Sequence, residues 1–298
     1  MDKGQTTMTG RRYVIVNGDD FGFSHGVNEG IIQAHTHGIL TSTSLMVTGD
    51  AVDEAVDLAK HHPSLGVGLH VVLGCGKAAL PPEQIPHLVD EQGRFPDNPA
   101  QAGWRYYFNQ AARRELHQEI EAQLQRFLAT GLPLSHVDGH LHHHANPAVL
   151  EVLLALAPKY NIPVIRLPHE ELTYTLKADF QGWLAKGLGW SVFSLLRRHG
   201  EKVLSGQGIR YAERVYGLLQ SGAVTESYLL GLIPQIQANV VELYAHPAIA
   251  YPHEPINGPE GAGERELSAL LSQSVKDQLQ ASGFQLTNFP ELIASAAF

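Results

Sequence analysis

The sequence predicts an α/β fold built on a parallel sheet, either open or closed into a barrel. Short apolar runs alternate with longer segments of helical period along the chain, which is the pattern of repeated strand and helix units. The length of 298 residues suits a single α/β barrel, which typically needs about 250 residues. In such folds the functional groups collect at the C-terminal ends of the strands, so we expect the site at that face.

Seven apolar runs have the length and residue types of strands. They cover residues 13–17, 40–47, 66–73, 134–138, 163–167, 240–245 and 284–289. Six segments with helical spacing of apolar residues cover 27–36, 51–61, 111–130, 147–160, 225–238 and 265–281. Each predicted helix falls between two consecutive predicted strands, and such crossovers join parallel strands.

The chain contains no repeat and no low-complexity linker, so we predict one domain over residues 11–298, after a flexible tail at residues 1–10. Two insertions interrupt the pattern. The segment near 74–105 is rich in Pro and Gly and predicts a long loop. The segment near 172–222 carries aromatic and aliphatic residues at helical spacing, which indicates helix packing or a dimer contact more than a lid for an apolar substrate group.

Composition narrows the class of protein. Apolar residues make up 44% and charged residues 17%, as in a compact enzyme, and the net charge of −9 argues against a nucleic-acid partner or an electrostatic membrane anchor. No apolar run is long enough to span a membrane, although peripheral contact stays open. A single cysteine, Cys75, and a polar N-terminus without a signal-peptide pattern predict a cytoplasmic protein.

The first predicted strand ends in two neighbouring carboxylates, Asp19 and Asp20, with no Lys or Arg beside them in the sequence. Two close carboxylates repel one another unless a cation lies between or beside them. Alone, the pair is also consistent with a turn or with a cap for the helix predicted from residue 27.

The third predicted strand contains GVGLH, in which His70 shares a face with Gly66 and Gly68. We expect the glycines to leave room for a group to approach the imidazole. A histidine that simply packs in the core is the alternative.

The strongest motif is SHVDGHLHHH at residues 135–144. Its alternation predicts an extended strand with His136, Asp138, His140, His142 and His144 on one face. Imidazole and carboxylate together are the common ligands of zinc and similar metals. The alternative is a solvated histidine tract that binds metal adventitiously.

A further candidate is His246 in ELYAHPA, at the end of an apolar strand that Pro247 closes. A histidine at that face is a candidate general acid or base.

Taken together and in this order, the motifs resemble those of the YdjC-like carbohydrate deacetylases, a family that includes chitooligosaccharide deacetylases. The stretches that carry the resemblance are IVNGDDFGFSHGVNEGI, GILTSTSLMVTG, GLHVVL, SHVDGHLHHH and ELYAHPA. Two others, GKAALPPEQIPHLVDEQGRFP and LATGLPLSHVDGH, look closest to members associated with hopanoid biosynthesis. The resemblance implies a distorted (β/α) barrel of TIM-barrel type.

The resemblance also implies an Asp-His-His site for one divalent metal ion, Mg²⁺ or Zn²⁺, with Co²⁺ or Ni²⁺ as further options. Asp20, His70 and His140 would be the ligands. Asp19 would be the general base and His246 a general acid. Three protein ligands leave a coordination position for water or substrate.

Four more residues are expected around the ligands or the substrate. They are Asp138, His142, His144 and Arg166.

The function so implied is metal-dependent hydrolysis of the acetyl group of an N-acetylated amino sugar, an N-acetylglucosamine-type oligosaccharide or a glycolipid. Three alternatives stay open: a deacetylase specific for an N-acetylglucosaminyl hopanoid lipid, a metallo-phosphoesterase, and a non-catalytic sugar- or metal-binding protein. The resemblance also implies a homodimer, and twofold dimers are the commonest soluble oligomers.

Overall fold

A computed structural model describes residues 11–255 and 257–295, and in this part of the chain seven parallel strands form one sheet. The strands are β1 (Arg12–Phe21), β2 (Ser42–Leu45), β3 (Gly66–Val71), β4 (Val137–Gly139), β5 (Arg214–Tyr216), β6 (Val240–Ala245) and β7 (Phe284–Thr287). Their order is β4-β3-β2-β1-β6-β5, with β7 beside the first half of β1. The sheet curls into a half-barrel, which confirms the distorted (β/α) barrel. The predicted tail at residues 1–10 lies outside the described residues.

Helices fill the connections between the strands. They are α1 (His25–His37), α2 (Val52–His61), α3 (Pro99–Phe108), α4 (Gln110–Ala129), α5 (Pro147–Tyr160), α6 (Leu172–Ala178), α7 (Trp183–Leu204), α8 (Glu226–Leu232), α9 (Ala262–Leu271), α10 (Gln273–Ala281) and α11 (Phe289–Ala294). Asparagine side chains cap several of them. Asn146, for example, accepts a hydrogen bond from the backbone N–H of Ala148 at the start of α5, where Pro147 has no backbone N–H and needs no acceptor.

Two predicted helices are interrupted. The segment 225–238 is helical only to Leu232, because Pro234 has no backbone N–H to donate and the chain continues as one 3₁₀ turn. The segment 265–281 divides at Ser272, whose hydroxyl accepts a hydrogen bond from the backbone N–H of Val275 and so begins a new helix, α10.

One predicted strand is wrong, and one observed strand was not predicted. The run 163–167 forms only isolated bridges, through Val164 to Arg210 and through Ile165 to Val137. Strand β5 was not predicted, because three residues are too few to show an alternating pattern.

One face of the sheet carries residues in layers along the strands. The first layer, at the N-terminal ends of the strands, is an apolar cluster of Ile15, Val164, Val240, Phe289 and Leu292. One strand step further, the residues are polar: Asn17 on β1 donates to Asp19 and to Ser44, and Glu242 on β6 accepts from Arg166. The alternation of side chains along β1 and β6 therefore separates an apolar base from a polar layer nearer the C-terminal face.

The two segments predicted as insertions flank that C-terminal face. The first contains α3 at its end, and the second contains α6 and the long helix α7. Glu119 of α4 holds the first insertion in place by accepting the backbone N–H groups of Ala79 and Leu80. Among the described helices, none combines the length and apolar content needed to cross a membrane.

The expectation that Gly68 leaves room for a group to approach His70 is wrong. A Cβ atom at Gly68 would lie 2.4 Å from the ring of His136, a buried side chain that packs against Phe289. The missing side chain is needed for the close approach of this second imidazole.

We predict that Gly68→Ala lowers the free energy of unfolding by about 1–3 kcal/mol, because the His136 ring must move within a packed core. Urea unfolding of the purified chain measures it. Gly187→Ala in α7 is the control, since no atom lies within 4 Å of its Cβ position, and it should be neutral or stabilising by up to about 1 kcal/mol. Equal stability of Gly68→Ala and the parent chain would contradict this packing.

Candidate metal centre and catalytic cleft

The end of β1 is irregular, and this irregularity turns the side chains of Asp19 and Asp20 towards the same side. The register against β2 shifts between Gly18 and Phe21, and Asp20 has a left-handed backbone with φ of 68°. Such a conformation costs roughly 1–2 kcal/mol in a residue with a Cβ atom. As a result Asp19 and Asp20, which a regular strand would point to opposite faces, both line one cleft of about 550 Å³.

The structure brings Asp20, His70 and His140 together at the C-terminal ends of the strands. Oδ1 of Asp20 lies 3.0 Å from Nε2 of His70 and 2.8 Å from Nδ1 of His140. One donor atom from each residue lies within 4.8 Å of the other two. Two imidazoles and one carboxylate at such distances form a donor set suited to a divalent cation.

The contacts behind these donors also fit a metal ion. Nδ1 of His70 lies 2.8 Å from Oδ1 of Asp138, so a proton on Nδ1 leaves the lone pair of Nε2 directed at Asp20 and His140. Nδ2 of Asn257 donates to the second oxygen of Asp20 at 2.6 Å. Histidines that bind a metal ion are usually oriented by a carboxylate in this way.

The pKa values reflect the same negative surroundings. Burial alone lowers the pKa of His70, but the carboxylates of Asp138 and Asp20 outweigh it and raise that pKa to about 10. Burial raises the pKa of Asp20, whereas His140 and His70 bring it well below its usual range. Asp20 is therefore ionised, and the space beside it favours positive charge.

Arg166 pairs with the first aspartate. Its Nη1 and Nη2 donate to the two oxygens of Asp19 at 2.7 and 2.8 Å, Nη2 lies 2.8 Å from Asp138, and Nε donates to Glu242 at 2.8 Å. The guanidinium is fully buried and comes from a position 147 residues away in the sequence. No Lys or Arg lies beside the two aspartates in the sequence, but the fold brings Arg166 to Asp19.

The charges in this region do not balance without a further cation. Three buried carboxylates, Asp19, Asp138 and Glu242, contact the guanidinium of Arg166, and a fourth, Asp20, contacts only imidazoles and Asn257. Burial raises the pKa of Glu242 against the opposing charge of Arg166. Unpaired buried charge is strongly unfavourable, so this site favours a protonated imidazole or a bound metal ion.

His246 follows β6 and lines the same cleft. Its Nδ1 lies 3.5 Å from Oε2 of Glu266, and its backbone N–H donates to that oxygen at 2.6 Å. Burial lowers the pKa of His246, but the hydrogen bond and charge of Glu266 raise it to about 9. The side chain is 23% exposed, so a protonated imidazole faces the cleft.

The extended strand predicted over 135–144 is wrong beyond Gly139. Residues His140–Ala145 form a 3₁₀ turn, in which Leu141 and His142 have left-handed backbones with φ of 53° and 57°. Nε2 of His142 therefore lies 2.8 Å from the hydroxyl of Tyr244, and Nε2 of His144 lies 3.0 Å from the backbone carbonyl of Arg166. The histidines do not share one face, and the alternative of a solvated tract also fails, because His140, His143 and His144 are buried.

Several residues that line the cleft or contact its residues were not predicted. Glu242 and Tyr244 share the alternation of β6 with His246, so the sequence did contain a signal for them. Asn257 and Glu266 lie in a Pro- and Gly-rich loop and in a helix, where no periodic pattern marks a functional position.

The fold and cleft define a (β/α)-barrel protein with an Asp-His-His group that could hold a metal ion at the C-terminal face. The chain belongs to the YdjC-like protein family, whose model matches residues 13–281. It is 36% identical over 282 residues to a carbohydrate deacetylase of Brevibacillus brevis, covering 94% of this chain and 99% of the relative. It is 41% identical over 194 residues to a carbohydrate deacetylase of Geobacillus stearothermophilus, covering 64% and 75%.

A similar solved structure is that of an Enterococcus faecalis protein described as a cellobiose-phosphate cleavage protein. It matches with a TM-score of 0.73 and 26% identity, over 95% of this chain and 99% of that one. The resemblance drawn from the sequence motifs is therefore confirmed at the level of the family.

We predict that Arg166→Met lowers the free energy of unfolding by about 3–5 kcal/mol, because the buried carboxylates lose their counter-charge. Chemical denaturation of metal-stripped protein measures it. The control, Arg113→Met, removes the exposed ion pair with Glu151 and should change stability by less than about 1 kcal/mol. Similar losses in both variants would contradict the special role of the buried pair.

Proposed function

We propose that this protein removes the acetyl group from N-acetylated amino sugars of the N-acetylglucosamine type, with one divalent metal ion. The observation that carries the proposal is the convergence of Asp20, His70 and His140 in an open cleft that Asp19 and His246 also line. Family membership and the carbohydrate deacetylases among its relatives place it with the hydrolases that act on acetylated carbohydrates.

Asp20, His70 and His140 would hold the metal ion. A divalent ion there would supply Lewis acidity, which polarises an acetyl carbonyl and makes water a better nucleophile at neutral pH. The two imidazole donors favour Zn²⁺, Co²⁺ or Ni²⁺, whereas Mg²⁺ would need oxygen donors to complete its shell.

Asp19 is placed to accept the proton of the attacking water. Oδ1 of Asp19 accepts from both Asn17 and Arg166, whereas Oδ2 accepts only from Arg166 and keeps a second lone pair for the proton. The fork of Arg166 fixes the carboxylate plane, so the base is held in one orientation. Proton acceptance by such a positioned group typically contributes about 10²–10⁴ in rate.

His246 is placed to give a proton to the departing amine. Cleavage of an amide needs such a proton, since an amide anion is a poor leaving group. With its pKa near 9, the imidazole is largely protonated at neutral pH. Asp19 and His246 thus carry opposite proton-transfer roles in one cleft.

A metallo-phosphoesterase with two metal ions is disfavoured by the contacts of the remaining acids. The second group that could hold a metal, Asp19, His70 and Asp138, shares His70 with the first. Both of its carboxylates are already paired with Arg166. One metal ion per chain is the arrangement that these contacts support.

The direct test is acetate release by metal-stripped protein, with and without added Zn²⁺ or Mg²⁺. The substrates are N-acetylglucosamine, its β-1,4-linked disaccharide, and a lipid-linked N-acetylglucosamine, the finer alternative. Metal-dependent acetate release from any of them supports the proposal. Phosphate release from a sugar phosphate without acetate release would support the phosphoesterase instead.

We predict that Asp19→Asn keeps one metal ion per chain and lowers kcat by about 10²–10⁴, because an amide cannot accept the proton. Elemental analysis and acetate release measure the two properties. His70→Ala and His140→Ala should lose both metal and turnover. Native kcat in Asp19→Asn would remove Asp19 from the mechanism.

We predict that Glu266→Gln moves the alkaline limb of the kcat profile to lower pH. Loss of the carboxylate lowers the pKa of His246 from about 9, so the protonated acid is lost earlier as the pH rises. The profile is measured from pH 5 to 10, with the exposed Glu264→Gln on the same helix as control. An unchanged limb in Glu266→Gln would mean that another group is the acid.

A further inference from the structure

Two neutral side chains form a hydrogen-bond chain from Asp19, the proposed base, to the carboxylate behind the metal-binding group. Asn17 on β1 donates through Nδ2 to Oδ1 of Asp19 at 2.8 Å and to Oγ of Ser44 at 2.7 Å. Ser44 on β2 continues the chain with a hydrogen bond of 2.6 Å to Oδ2 of Asp138. Asn17, Ser44 and Asp138 are all fully buried, so these hydrogen bonds form in a low-dielectric interior.

A glycine on the intervening strand explains how Ser44 reaches Asp138, which lies two strands away on β4. Strand β3 lies between β2 and β4, and Gly68 on β3 is the register partner of Ser44. Gly68 contributes no side chain to the face that the other two residues share. It therefore allows direct contact between side chains of β2 and β4 across the strand that separates them.

Each hydrogen bond in the chain has only one possible direction. The amide nitrogen of Asn17 has two protons and gives one to Asp19 and one to Ser44. The hydroxyl of Ser44 accepts there and gives its single proton to Asp138, a carboxylate that pairs with Arg166. The buried amide oxygen of Asn17 has no partner among the described residues, so the two donated bonds alone orient the amide.

Both ends of the chain reach groups that the proposed chemistry needs. At one end, Asn17 holds Oδ1 of Asp19 and so helps to fix the carboxylate. At the other end, Asp138 accepts from Ser44 through Oδ2 and contacts Nδ1 of His70 through Oδ1, at 2.8 Å. A carboxylate behind a histidine sets the direction of the ring, so the contact with Ser44 bears on the metal-binding nitrogen of His70.

We propose that Ser44 is a positioning residue, whose single hydroxyl aligns both the base Asp19 and the metal ligand His70. This inference rests on the proposed function. Arg166 joins Asp19 and Asp138 by charge, whereas Ser44 adds a hydrogen bond of fixed direction. The competing explanation is that Ser44 only stabilises the fold, as buried hydrogen-bonded hydroxyls generally do.

The test compares Ser44→Ala with Ser42→Ala, a matched control on the same strand. Ser42 is equally buried, and its hydroxyl also donates one hydrogen bond, but to the backbone carbonyl of Gly66. Both variants should lower the urea midpoint of the metal-stripped chain. Only Ser44→Ala should raise the dissociation constant for Zn²⁺, by about tenfold in competition with a chelating dye, because the support behind a metal ligand is weakened.

Turnover gives a second readout with the same two variants. At saturating Zn²⁺, Ser44→Ala should lower kcat for acetate release from the N-acetylglucosamine disaccharide by about tenfold, because the base is less well aligned. The KM should change little, since no contact to the sugar is removed. Ser42→Ala should keep the parental kcat and KM.

Asn17→Ala breaks the chain at its other end and tests the link if Ser44→Ala does not fold. It should lower kcat and also raise the Zn²⁺ dissociation constant, although Asn17 contacts none of the three metal-binding side chains. In the double variant the kcat loss should be about that of the more damaging single change, because either change already breaks the link. Losses that multiply would overturn the shared role.

The Zn²⁺ readout separates failure of this inference from failure of the proposed function. A raised dissociation constant in Ser44→Ala but not in Ser42→Ala, with no acetate from the parent chain, would support the link to His70 and overturn the deacetylase. Acetate release by the parent chain, with kcat or the Zn²⁺ dissociation constant unchanged in Ser44→Ala, would overturn the positioning role while the deacetylase stands.

Discussion

The site depends on one buried guanidinium. Arg166 holds Asp19, Asp138 and Glu242 around itself, and these acids come from three different strands of the half-barrel. A guanidinium is the only side chain that can serve several carboxylates in a fixed plane. Arg166 leaves Asp20 to the imidazoles, so the two neighbouring aspartates have different partners, as the proposed roles of Asp19 as base and Asp20 as metal ligand require.

The ion pair between Asp138 and Arg166 affects both the stability of the fold and the geometry of the site. Asp138 is bound to Arg166 through one oxygen and to His70 through the other, so the orientation of the imidazole depends on the buried ion pair. Backbone strain adds to this arrangement, since Asp20, Leu141 and His142 all have left-handed conformations. Strain of this kind persists where the surrounding contacts determine the geometry, and here it aims three side chains into the cleft.

The sequence was sufficient for those parts of the fold that repeat over many residues. The parallel strands, the helical crossovers and the C-terminal location of Asp19, Asp20, His70, His140 and His246 follow from alternation and helical period. Pairing between distant residues could not be predicted from the sequence, because nothing near Asp19 indicates that Arg166 will be its partner. The turn after Gly139 was missed because alternation of His with other residues favours a strand. Left-handed backbone at Leu141 has no signal in the sequence, since leucine usually avoids that conformation.

Two surfaces of opposite character meet at His142. On one side, the excess of carboxylates favours the binding of a cation. On the other side, helices α3 and α7 expose aromatic and aliphatic side chains. The ends of the strands supply most of the first surface, and α3 and α7 supply the second.

We propose that one metal ion is bound by Asp20, His70 and His140 while Asp19 stays on Arg166. An X-ray structure of the zinc-loaded protein, with anomalous data collected at the zinc edge, would locate the ion. We predict a single anomalous peak within bonding distance of these three side chains, with the Asp19–Arg166 fork unchanged. A peak between Asp19 and Asp138, with Arg166 displaced, would contradict the account.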